Sequence, residues 1–187
     1  MKISIYICFS IVLIVFIVGI GVGYYLTPQY QLAMYDKVSM DFGVADRWVD
    51  LRYINAMIAH HRGAILLAEQ VSRESNRPEM QTLAASIEEG EPKLISELYK
   101  WKVEWFGDSR IVKDPVVSKL GAYDEKFDLR FLNSLITHHE LGIIMTKQIR
   151  AKSSRAEILN NADSVEAFLV DSSKTLKGLR EEWYGVK

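Results

Sequence analysis

The sequence lacks the residues and motifs on which many functional sites are built. Its single cysteine, Cys8, excludes an intrachain disulfide and any zinc or iron–sulfur site that needs several cysteines. The formal net charge of −1 over 187 residues lacks the basic excess that nucleic-acid binding requires. No phosphate-binding loop, dinucleotide fingerprint, Gly-x-Ser-x-Gly elbow or His-Glu-x-x-His zinc motif is present. An enzymatic role therefore has no positive motif.

Histidine is also scarce, and its distribution is the most informative feature of the chain. The only four histidines form two adjacent pairs, His60 with His61 and His138 with His139. A histidine can act as a general base, but no nucleophile is marked beside either pair. The paired pattern therefore gives no positive indication of catalysis.

One long apolar run lies near the amino terminus. Residues 3–26 carry no charge, and as a helix they would extend about 36 Å, enough to cross a hydrocarbon core of about 30 Å. A cleaved signal peptide is the alternative, but its apolar core would be only about 7–15 residues long. We predict an uncleaved single-pass anchor with Tyr24 and Tyr25 at the interface. The lysine before the run favours a cytoplasmic amino terminus and an extracytoplasmic remainder.

The remainder of the chain contains an internal duplication. Residues 50–107 align without a gap with residues 128–185, and both histidine pairs fall at matching positions. Each copy begins Asp-Leu-Arg-aromatic and ends Glu-Trp-aromatic-Gly. The predicted organisation is an anchor (1–28), a tether (29–45), a first helical hairpin (46–107), a linker (108–123) and a second helical hairpin (124–187).

Each copy is predicted to form two amphipathic helices. Apolar residues recur every three or four positions in residues 46–73 and 78–106, and the second copy repeats this in 124–151 and 155–184. Two such hairpins bury their apolar faces most simply as a four-helix bundle with a pseudo-twofold axis. The expected fold is all-α, a transmembrane helix followed by this bundle.

Helical geometry directs the histidines towards the apolar faces. Because successive residues turn by about 100°, His61 and His139 fall near the middle of the apolar arc, and His60 and His138 fall near its edge. We therefore expect His61 and His139 to face the interior, where the pseudo-twofold axis could bring them together. The other two would then be outer ligands or gates.

Buried imidazoles need hydrogen-bond partners or a metal, so two interpretations stay open. The histidines could be hydrogen-bonded core residues of a structural or protein-interaction module. Alternatively they bind a transition metal, since neutral imidazole suits copper, zinc, nickel or iron. Met57, one turn before His61, and Met145, two turns after His138, are either soft ligands suited to Cu(I) or core fillers.

The positions of the acidic residues limit the kinds of metal site that fit the sequence. No histidine has Glu or Asp three residues before it, so a di-iron site of the Glu-x-x-His type is disfavoured. Glu91 interrupts the apolar stripe of its helix. It is a metal ligand, a hydrogen-bond partner for a histidine, or a side chain exposed by an irregularity at Pro92.

Residues 57–65, Met-Ile-Ala-His-His-Arg-Gly-Ala-Ile, resemble the Met-Ile-x-His-His-x-x-Ala signature of the domain-of-unknown-function family 305, DUF305. Residues 50–53 and 87–101 also fit that family's pattern, and residues 135–139 are a weaker second match. The family commonly has Met at the positions of Leu67 and Leu98 and Gln at that of Glu91, and Leu135 replaces the Met of the second copy.

The resemblance implies a ferritin-like four-helix bundle, exported or membrane-attached, with copper binding in some members. Its candidate metal ligands in this chain are His60, His61, His138, His139, Met57 and Met145. The expected function is a membrane-anchored bundle that binds copper, or another transition metal, for buffering or resistance outside the cytoplasm. The alternative is the non-catalytic module described above.

Overall fold

The computed structural model describes residues 41–186, and this part of the chain is helical. It contains four helices and no strand: α1 (Val49–Glu74), α2 (Pro78–Phe106), α3 (Phe127–Arg150) and α4 (Ala156–Tyr184). α1 packs on α2, α3 packs on α4, and α1 also packs on α3, which joins the two hairpins. The prediction of an all-helical, four-helix arrangement is confirmed for these residues.

The predicted membrane anchor, residues 3–26, lies outside the described residues. Among the helices within 41–186, none has the length and apolar character needed to cross a membrane.

The ends of the helices follow from local residue chemistry. Pro78 opens α2 at a position where its missing N–H costs no helical hydrogen bond. Gly107 and Gly185 end α2 and α4 with φ of 62° and 65°, in the left-handed region that glycine adopts without a steric penalty. These two glycines occupy equivalent positions in the duplication, so both hairpins end in the same way.

The apolar core consists of two clusters that are separated at the level of the histidines. The first contains Tyr53 and Met57 of α1 and Met145 of α3. The second contains Leu67 of α1 and Phe131 of α3. Since each histidine pair lies between the two clusters on its own helix, the imidazoles form a polar layer at mid-height of the bundle.

Each hairpin makes the same ion pair to the other through equivalent residues. The Arg77 guanidinium donates to Asp128 at 3.2 Å, and that of Arg155 donates to Asp50 at 3.2 Å. Each arginine also stacks on a tryptophan of the other hairpin, 4.1 Å from the ring centroid of Trp183 and 4.2 Å from that of Trp105. Such reciprocal contacts are what a pseudo-twofold relation between the hairpins requires.

The structural repeat begins before residue 50, where the sequence alignment of the two copies starts. Phe42 and Leu120, at equivalent positions, are only 3% and 2% exposed. The Phe42 N–H donates to the side chain of Gln148 at 3.4 Å, and the Leu120 N–H donates to that of Gln70 at 2.9 Å. Each hairpin therefore holds the segment that precedes the other hairpin.

Candidate metal centre

A cavity of about 580 Å³ lies at the histidine layer, and all four helices contribute to its wall. His60 and His61 enter from α1, and His138 and His139 from α3. All four are buried, with exposed fractions between 1% and 5%. The fold thus brings the four predicted histidines to one place.

His60 and His138 meet across the contact between α1 and α3. Their rings stack with centroids 3.9 Å apart and planes inclined by 20°. Nε2 of His60 also donates to the backbone carbonyl of His138 at 3.2 Å. The histidines in direct ring contact are therefore His60 and His138, and a close approach of His61 to His139 stays a prediction. Because α1 packs directly on α3, residues at the edge of each apolar arc meet there.

His61 has a carboxylate partner. Its Nδ1 donates to Oε2 of Glu91, which extends from α2 and is mostly buried. Of the three roles that the sequence left open for Glu91, the structure thus shows the hydrogen-bond partner. An ionised carboxylate only accepts, so in the neutral form of His61 the proton is on Nδ1 and the lone pair is on Nε2.

Each of the four imidazoles has one buried nitrogen for which residues 41–186 provide no hydrogen-bond partner. These atoms are His60 Nδ1, His61 Nε2, His138 Nε2 and His139 Nδ1. Since buried polar atoms in proteins are nearly always paired, such exceptions point to water, an ion or a ligand. Imidazole nitrogen is a preferred donor for copper and zinc, so the donor type fits a transition metal.

The donors do not converge on a single point. Within residues 41–186 no group of three or more His, Cys, Asp or Glu side chains is arranged to hold a metal ion. Gathering three imidazoles around one ion would therefore require side-chain rotation within the cavity.

Burial favours the neutral form of three of the imidazoles, those of His60, His138 and His139. Desolvation, reinforced by the neighbouring His138, holds the pKa of His60 well below its usual value. Desolvation and the nearby His139 lower the pKa of His138 to about 3, and desolvation lowers the pKa of His139 to about 4. At neutral pH these side chains carry a free lone pair, which is the state that binds metals.

The two predicted methionines lie elsewhere. Met57 and Met145 are 0% and 1% exposed and pack in the first apolar cluster. Neither is among the residues that line the cavity. The structure therefore brings the histidines together without the thioethers, and ligation by any of the six residues stays a prediction.

A close contact on α3 fixes the place of His60. A Cβ atom at Gly142 would lie 2.6 Å from Nε2 of His60 and 2.5 Å from a methyl carbon of Leu169. The absence of a side chain at Gly142 thus lets the imidazole lie against the helix backbone. The equivalent residue in the first copy is Ala64, so the two halves of the layer differ here.

The remaining wall comes from α2 and α4, and sequence reasoning did not find it. It includes the carboxylates Glu97 and Glu157 and the aromatic rings of Trp101 and Phe168, and none of the lining residues is Lys or Arg. Carboxylates without a neighbouring Lys or Arg favour a cation in the cavity. The absence of a repeated motif among these residues left them unmarked, and only their position on the faces towards the histidines could have indicated them.

The comparisons with known proteins agree with the sequence resemblance. The family model DUF305, described as a domain of unknown function, matches residues 50–116, which confirms the resemblance and covers most of the first hairpin and part of the linker. A search of curated proteins found no match.

Three solved structures of a protein named CopM are similar to the chain over most of its length. CopM in the Cu(I)-bound form is 27% identical with a TM-score of 0.65, and the match covers 74% of this chain and 99% of CopM. The Cu(II)-bound form is 26% identical with a TM-score of 0.61, covering 72% and 97%. The apo form is 27% identical with a TM-score of 0.63, covering 72% and 98%.

Proposed function

We propose that the chain binds copper at its histidine layer. The observation that carries the proposal is the set of four buried imidazoles lining one cavity, each with an unpartnered nitrogen. The likeness to CopM, which has been solved with Cu(I) and Cu(II), supports copper as the metal. The lack of cationic residues in the cavity wall supports a cation as the ligand.

The residues that would hold the metal are those with a free lone pair. His60 would contribute Nδ1 and His61 Nε2, because their other nitrogens already donate hydrogen bonds. His138 and His139 would contribute Nε2 and Nδ1, their unpartnered atoms. A bound copper ion supplies a soft electron-pair acceptor. Met57 and Met145 stay the proposed auxiliary ligands.

We further propose that residues 3–26 anchor the chain in a membrane and hold the bundle outside the cytoplasm. The uncharged run is long enough to span a bilayer, and the lysine before it favours this orientation. In that place the bundle would store or buffer copper, or contribute to copper resistance.

The test is metal titration of the full-length protein purified in detergent. Cu(I) and Zn(II) would be titrated against a competing chelator, with wild type compared to a variant in which all four histidines are glutamine. We expect tight Cu(I) binding that raises the melting temperature of the wild type and is lost in the variant. Binding of equal strength in both proteins, or only weaker than about millimolar, would contradict the proposal.

A second candidate function is a structural or protein-interaction module. It is favoured by the hydrogen bonds that His60 and His61 already make and by the lack of a converged three-ligand group within 41–186. In this case metal would leave the melting temperature of the wild type unchanged. The histidine substitutions would then lower stability alone.

A further inference from the structure

The two copies of the duplicated site are not chemically equivalent, and the difference lies in α2 and α4. Glu91 of α2 accepts the hydrogen bond from Nδ1 of His61. The residue at the same place in the second copy is Leu169, which is 3% exposed and cannot accept a hydrogen bond. Among residues 41–186, no hydrogen bond to the ring of His139 is found, and Nδ1 of that ring is buried without a partner.

The tautomer and the ring orientation of a neutral histidine are set by the hydrogen bond that one of its nitrogens makes. A carboxylate can only accept, so Glu91 requires the proton of neutral His61 to be on Nδ1. The lone pair is then on Nε2, the buried atom without a partner. Carboxylates that contact the distal nitrogen of a ligating histidine fix both ring orientation and tautomer in metal sites generally.

We propose that Glu91 is a positioning residue that presets His61 for a soft cation. The proposal rests on the proposed copper function and deepens it. His60 is preset by a backbone contact, because its Nε2 donates to the carbonyl of His138 and its lone pair stays on Nδ1. The first half therefore offers two imidazoles in fixed tautomers, whereas His139 is held by packing beside Phe168.

The experiment compares Glu91→Gln and Glu91→Leu with Glu89→Gln in the full-length protein. Glu89 lies on the same helix, its side chain is 80% exposed, and among residues 41–186 it pairs only with Lys93. Its variant therefore removes the same charge at a position that does not line the cavity. Glu91→Leu places in the first copy the residue that the second copy already has. Circular dichroism would show that each variant retains its helices.

The first measurement needs no metal. Long-range ¹H–¹⁵N correlation spectra of the apo protein distinguish protonated from unprotonated ring nitrogens. We expect His61 to carry its proton on Nδ1 in the wild type and in Glu89→Gln, and to become a mixture of tautomers in Glu91→Leu. The amide oxygen of Glu91→Gln can still accept from Nδ1, so this variant should retain part of the wild-type tautomer. An unchanged His61 tautomer in Glu91→Leu would overturn the proposal, whether or not copper binds.

The second measurement is Cu(I) affinity by chelator competition. We expect the Glu91 variants to bind about 10–100-fold more weakly, the loss typical of removing a histidine's outer partner, and Glu89→Gln to bind as the wild type does. A tautomer change without loss of affinity would overturn the positioning role. If the wild type binds no Cu(I), the proposed function fails with it, and the tautomer measurement alone decides whether Glu91 orients His61.

Discussion

Single residues determine how closely the helices approach at the histidine layer. Gly142 is the clearest case, because the imidazole of His60 occupies the space that a side chain at this position would fill. The helix is regular here, so the reason for glycine is contact and not backbone conformation. Ala64 stands at the equivalent position, which shows that the duplicated copies have diverged at the scale of one methyl group.

We expect Gly142→Ala to destabilise the bundle. The added methyl would clash with Nε2 of His60 and with Leu169, and overpacking of this kind costs about 1–3 kcal/mol. Gly178→Ala is the matched control, since this exposed helical glycine has no atom within 4 Å of an added Cβ. The control should gain up to about 1 kcal/mol from helix propensity. Urea unfolding of both variants is the measurement, and equal stabilisation by both would refute the contact.

At the scale of helices, reciprocal ion pairs connect the two hairpins. Asp128, at the start of α3, accepts hydrogen bonds from Ser75 at 2.7 Å and from Arg77 at 3.2 Å, and both donors lie in or beside the turn between α1 and α2. Asp128 is only 4% exposed. A buried acceptor that serves two donors from another hairpin contributes more to stability than an exposed ion pair does.

We therefore expect Asp128→Ala to lower the free energy of unfolding by about 1–3 kcal/mol, because it leaves the Ser75 hydroxyl and the Arg77 guanidinium without their acceptor. Asp163→Ala removes an aspartate that pairs with Arg150 but is 64% exposed, and it should cost less than about 1 kcal/mol. Chemical denaturation of the two variants gives the comparison. Similar losses would mean that the buried pair does not hold the hairpins together.

The helices could be predicted from sequence because their signals are local. Apolar spacing, Pro78 and the terminal glycines mark the four helices without knowledge of their neighbours. The contact between His60 and His138 could not be predicted in this way. It depends on the direction from which α3 approaches α1, and a helical wheel gives no information about that direction.

The segments before the hairpins show a second limit of prediction from the sequence. Two pairs of residues in these segments match between the copies: Gly43 with Gly121, both with positive φ, and Asp46 with Asp124. So few identities in short non-helical stretches are not enough to extend the alignment. The role of the first of these segments is seen only in the structure, where Arg52 donates hydrogen bonds to backbone carbonyls of the segment before its own helix. Contacts between an arginine side chain and nearby loop carbonyls leave only a weak trace in the sequence.

For the molecule as a whole, the histidine layer couples folding to pH. His60, His138 and His139 have pKa values below the usual histidine range, chiefly because burial disfavours their charged forms. The unfolded chain exposes the same side chains with pKa values of about 6.5. As the pH falls below this value, the unfolded state binds more protons than the folded state, so the free energy of unfolding decreases.

We expect the neutral histidines of the metal-free protein to make their full contribution to the free energy of unfolding above about pH 6.5. This contribution should be lost as the pH falls towards about 4. Each neutral buried imidazole can account for up to about 1.4 kcal/mol per pH unit in this window. Aspartates with lowered pKa values, such as Asp114, lose their contribution nearer pH 4 and below, so unfolding measured between pH 7 and 5 isolates the histidines. His139→Gln should reduce the slope by a fraction of a proton near pH 7 that rises to about one proton near pH 5, because it removes one of the titrating groups. A stability that stays constant from pH 7 to 5, or a slope that this substitution leaves unchanged, would show that the layer does not carry the pH dependence.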